Sequence, residues 1–92
     1  MALLKTLRIK TMTTFNEATV IISNINTIEG VVAHINDCDT NKNLFAAAYA
    51  YNADEEAGYG IDADNIEAHL DVLSEAGAEF DTKKATKIAL AA

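Results

Sequence analysis

Apolar and polar positions along this chain fall into four segments with helical spacing and one short segment that alternates. The clearest run starts at "TFNE". Thr14 and Glu17 have the spacing of a capping box, in which each side chain bonds the other residue's backbone amide. Apolar residues then recur at Phe15, Ala18, Ile21, Ile22, Ile25, Ile28, Val32 and Ile35, which predicts one helix with a single apolar face. Asn16, Thr19, Ser23, Asn26, Thr27, Gly30 and His34 fall on the other side. The adjacent Val20, Ile21 and Ile22 break the alternation of a strand, although "ATVII" has high strand propensity.

"NDCDTNKN" interrupts this pattern, and Asp39 or Thr40 is the expected cap of the next helix, "NLFAAAYAYNADEEA". That segment is apolar nearly all round as far as Tyr51, which predicts a central, buried helix. A buried strand over "LFAAAYAY" is the rival reading. "GYG" ends the segment. Asp64 and Glu67 then have capping-box spacing, and Ile66, His69, Leu70 and Leu73 follow on one face up to a left-handed stop at Gly77. Asp81 caps a last helix, "TKKATKIALAA".

The alternating segment comes first. In "LLKTLRIKT", Leu7 and Ile9 alternate with Arg8 and Lys10, as in a short strand, although the same residues fit a frayed helix. The expected fold is mainly α: a small bundle of three to four helices with a short extended N-terminal arm over residues 1–12. The alternative is α+β, with the N-terminal strand paired to a second copy of the chain.

Composition agrees with this reading. The 92 residues predict one domain over 1–92, and a Pro-free, Ala-rich chain favours helix. So thin a core predicts a homo-oligomer. One cysteine, Cys38, cannot form an internal disulfide, so a reducing, cytoplasmic setting is expected. No run approaches the roughly 20 apolar residues of a membrane span. "MALLKTLRIKTM" lacks the h-region of a signal peptide, and Met12 is an alternative start.

Charge sharpens the picture. All fourteen acids lie between Glu17 and Asp81 with Lys42 the only base among them, so the middle carries −13 and each end +3. Such a body repels nucleic acid and anionic membranes and favours a basic partner. Asp54, Glu55, Glu56, Asp62, Asp64, Glu67 and Asp71 fall within eighteen residues that hold no base. Asp64, Glu67, Asp71 and Glu75 step by three and four, which lines one helix face with carboxylates. These eight acids are the expected partner-binding residues. Along the line of four the spacing of about 5–6 Å is close to that of phosphates along a strand, so a nucleic-acid mimic that occupies a basic groove is the specific form of this reading. In size and charge the chain resembles small phage-encoded antagonists of nucleic-acid machinery, by analogy only.

Three other chemistries have candidates. Asp37, Asp39 and Asn41 open "DCDTNKNL", which resembles the start of an EF-hand loop and implies calcium held by those oxygens. Lys42 stands where that loop has glycine, and Ala48 where it has the bidentate glutamate. "DEEAGYGID" has a similar opening, broken in register by Gly58, Tyr59 and Gly60. His34 and Cys38, four apart, are too few for zinc, and a Cys–His nucleophile also needs an oxyanion hole. "KTLRIK" and "TKKATK" are basic and the "LSEAGAEFDTKKA" turn resembles a helix-turn-helix, but the −13 body opposes phosphate. The expectation is a non-enzymatic inhibitor or adaptor without cofactor. A structural homo-oligomer and a degenerate calcium module are the alternatives.

Overall fold

A computed structural model describes residues 13–58 and 60–92. Among these are five helices and no strand: α1 (Phe15–Ser23), α2 (Ile28–Asp37), α3 (Lys42–Ala57), α4 (Ala63–Glu75) and α5 (Thr82–Ala91). The chain is a mainly α, compact globule. The expected arm or strand over residues 1–12 lies outside the described residues.

The capping box forms as its spacing predicts. Thr14 Oγ1 accepts from the Glu17 amide at 3.1 Å, and Glu17 Oε1 accepts from the Thr14 amide at 2.9 Å. The helix it starts does not run on to Ile35. It stops at Ser23, and α2 begins afresh with Thr27 Oγ1 accepting from the Gly30 amide at 3.0 Å. Local side chains explain the break. Ser23 Oγ and Asn24 Nδ2 both donate to the Val20 carbonyl, at 2.8 and 3.1 Å, and so compete with the next helical amides. Ile25 then packs under α2 so closely that a Cβ on Gly30 would lie 2.7 Å from its Cγ2. The break also rotates the apolar face. Ile22, Val31 and Ile35 are buried, Ile21 is exposed, and Val32 is only half-buried.

α3 is central and packs against each of the other four helices. Ala46, Ala47, Ala48 and Ala50 are all fully buried, and such short side chains let helices approach on every side. Its strand alternative is overturned. Its N-cap is Asn41, not Asp39 or Thr40, and Asn41 makes no side-chain cap bond. Lys42 extends back instead and donates to the last carbonyls of α2, Ile35 at 3.4 Å and Asn36 at 2.9 Å. A cation there suits a helix C-terminus.

α4 is capped by Asp62, not Asp64: Asp62 Oδ1 accepts from the Asn65 amide at 3.0 Å, and Oδ2 accepts from Asn65 Nδ2 at 3.2 Å. Ile66, Leu70 and Leu73 are fully buried, as the stripe predicts. Gly77, at φ 105°, ends the helix in a Schellman motif: Gly77 N–H bonds the Ser74 carbonyl at 3.1 Å, and Ala78 N–H bonds that of Leu73 at 3.0 Å. Asp81 caps α5 through the Lys84 amide at 3.1 Å. Two asparagines fasten the α4–α5 connection to the rest. Asn36 donates to the Gly77 carbonyl at 3.1 Å and accepts from the Glu79 amide at 2.8 Å, while Asn43 accepts from the Asp81 amide at 2.7 Å.

Candidate functional site

α3 ends where α4 begins, so the acids of both helices meet at one end of the molecule. Seven of the eight expected site residues are exposed: Glu55 and Glu56 on α3, Asp62 at the cap, and Asp64, Glu67, Asp71 and Glu75 on α4. The four on α4 cover about 16 Å of helix axis at ~1.5 Å per residue. Among the described residues, the one acid–base pair within 4.0 Å is His69 with Asp54, so none of those seven is neutralised by a neighbour there. Glu55 and Glu56 also sit in the last turn of α3, which has no basic residue, at the end where a negative charge is disfavoured.

Asp54 does not belong to this surface. It is fully buried, and among the described residues neither carboxylate oxygen has a hydrogen-bond partner. His69, on the inner edge of α4, places Nε2 3.8 Å from Asp54 Oδ1, too far for a hydrogen bond. The sequence held a signal for this burial. Asp54 lies seven residues after Ala47 and four after Ala50, so it continues the buried stripe of α3. The run "DEE" hid it by reading as uniformly solvated.

The other candidates separate. Asp37 closes α2, Asp39 is exposed in the turn, and Asn41 Nδ2 reaches Thr13 Oγ1 at 3.5 Å. Among the described residues, no three His, Cys, Asp or Glu side chains gather closely enough to hold a metal ion. Cys38 Sγ donates to the backbone carbonyl of His34 at 3.2 Å, not to its imidazole. That ring packs edge-on against Phe45, with centroids 4.4 Å apart, and its Nε2 is buried without a partner among the described residues. Burial pushes the Cys38 thiol above its ordinary value of 9.0; Lys42 opposes the shift, and Asp37 and Asp39 add to it. A raised thiol is a poor nucleophile at neutral pH. No helix among the described residues is long and apolar enough to cross a membrane.

The break after α1 creates a feature that a continuous helix would not have. An open groove of about 680 Å3 lies between the end of α1, the start of α2 and the flank of α3. Ile22 and Val31 form its floor, Ile25, Ile28 and Tyr49 its walls, and Glu55 and Glu56 part of its rim. Compared with protein-family models, curated proteins and solved structures, the chain matches none.

Proposed function

We propose that this chain is a small acidic protein-interaction module, an inhibitor or adaptor, that binds a basic partner through the outer face of α4. The observation that carries the reading is the exposed line Asp64, Glu67, Asp71 and Glu75, with no counter-charge within 4.0 Å among the described residues. Like charges at this spacing cost about 0.2–0.5 kcal/mol per pair. A basic partner would turn that repulsion into attraction and gain association rate from steering. Glu55, Glu56 and Asp62 extend the same charge around the end of the molecule. Mimicry of a nucleic-acid strand is the specific form of this reading, with a basic nucleic-acid-binding protein as the partner. The unpaired thiol of Cys38 fits a cytoplasmic setting.

The test is capture from lysate by the wild-type chain and by Glu67→Lys/Asp71→Lys, at low and at high salt. Both positions are exposed, and the exchange turns two of the three like-charge contacts on the line into attractions while the third becomes a lysine pair, so the variant should fold at least as well as wild type. The expected result is capture at low salt that weakens in the variant and at high salt. Capture that is indifferent to both changes would sink the reading.

A further inference from the structure

We propose that the groove between α1, α2 and α3 is the docking site of the chain's own N-terminal segment, residues 1–12. A second depression, about 440 Å3, is lined by Thr14, Phe15, Thr19 and Tyr51 and shares Asn52 and Glu55 with the larger groove. The two form one track along the α1–α3 seam. It opens beside Thr14, where residues 1–12 join the fold, and ends at Ile28.

Reach is ample. α1 is nine residues long, or about 14 Å at ~1.5 Å per residue. Twelve extended residues span up to about 40 Å. The chemistry is complementary. The segment supplies Leu3, Leu4, Leu7 and Ile9 for the apolar floor and walls, and Lys5, Arg8 and Lys10 for a rim that carries Glu55 and Glu56. Those two glutamates stand at a helix end that lacks a cation of its own, and the segment would bring three to it. Attachment beside the track favours the chain's own segment over a second copy, because a short tether gives an effective concentration in the millimolar range. This inference leaves the α4 line untouched, since it uses neither Glu67 nor Asp71, but it withdraws Glu55 and Glu56 from the partner-binding surface. Its consequence is that Glu55 and Glu56 are held by the segment, which leaves the α4 line as the open acidic surface.

Paramagnetic broadening tests it on the full chain. A nitroxide is placed on Ala2→Cys in a Cys38→Ser background, and amide intensities are read. The expected result is a several-fold loss at Ile25, Ile28, Glu55 and Glu56 relative to Val72 and Leu90, unchanged on dilution. The loss should disappear in Lys5→Glu/Arg8→Glu/Lys10→Glu. Broadening elsewhere, or none, overturns the proposal. A mixture of isotope-labelled chain with separate spin-labelled chain is the second arm, and broadening of the groove there assigns it to a second copy and also overturns the proposal. Carbodiimide cross-linking of the unmodified chain gives an independent readout. A bond within one chain from Lys5 or Lys10 to Glu55 or Glu56 supports the docking, and bonds confined to other carboxylates refute it.

Discussion

Replacing Asp54 with alanine should stabilise this protein, against the usual direction of substitution at a fully buried site. The carboxylate is fully enclosed and accepts no hydrogen bond from any described residue. An unsatisfied buried polar group costs about 1–3 kcal/mol, and alanine adds about 0.6 kcal/mol of helix propensity over aspartate. Two terms oppose this gain. The void left behind is about the size of one water, ~30 Å3, which at ~24 cal/mol per Å3 costs about 0.7 kcal/mol. The attraction to His69 across 3.8 Å is also lost, and because the imidazole left behind reaches solvent this costs about 1 kcal/mol. The balance is a gain of about 1 kcal/mol, which raises Tm by roughly 4–8 °C in a domain of this size. Thermal melts followed by circular dichroism, with urea titrations to check for an unchanged m-value, provide the measurement. Asp54→Asn is the control: it removes the charge, keeps the shape, and should gain less than alanine. A Tm that falls by 4 °C or more in Asp54→Ala refutes the reasoning, because Asp54 would then have a partner that holds the native state together. A double-mutant cycle with His69→Ala isolates the pair, and its coupling should stay below about 1 kcal/mol.

Gly30→Ala should lose roughly 1–2 kcal/mol in the same melts despite the better helix former, because the new Cβ meets Ile25 Cγ2 at 2.7 Å and Thr27 Oγ1 at 3.1 Å; an increase in stability would show that Ile25 yields freely. Asn36→Ala removes both bonds to the α4–α5 connection and should cost about 1–2 kcal/mol, with faster hydrogen exchange at Glu79. Alkali should weaken the fold. Burial raises both Cys38, ordinarily at 9.0, and Tyr49, ordinarily at 10.0, with Glu56 adding to the shift of Tyr49. Groups raised in the folded state contribute stability that is full below their unfolded values and is lost as pH rises through the folded ones. Urea midpoints should therefore hold up to about pH 9 and fall above it, and Cys38→Ser/Tyr49→Phe should flatten that fall.

The elements that the sequence revealed are those set by contacts three or four residues apart. Thr14 with Glu17, the stop at Gly77, the cap at Asp81 and the stripe Ile66–Leu70–Leu73 all depend on such spacing, and all four form. The central place of α3 was legible from its lack of a polar face before Asn52. The split of the first helix was not, because Ile25 and Ile28 fit one continuous stripe as well as they fit two. What decides between these is the competition of Ser23 and Asn24 for the Val20 carbonyl and the close fit of Ile25 against Gly30. The cap of α4 moved from Asp64 to Asp62 because Asn65 offers Asp62 both its backbone amide and its side chain. Of the candidate site, the line along α4 was visible as a period in the sequence. The groove was not, since it arises from the break itself, and the place of Asp54 emerges only when the stripe of α3 is carried past Tyr51.

The alanine wall of α3 bears on how the protein comes apart. Every other helix rests on that one segment, and once α3 leaves only α4 and α5 keep an extended contact, a single helix pair too small to hold an interior of its own. Loss of structure should therefore be all-or-none from Phe15 to the last turn of α5, with no stable sub-assembly along the way. The most protected amides in native-state exchange should be those of Ala46 to Ala50, opening only with the whole molecule.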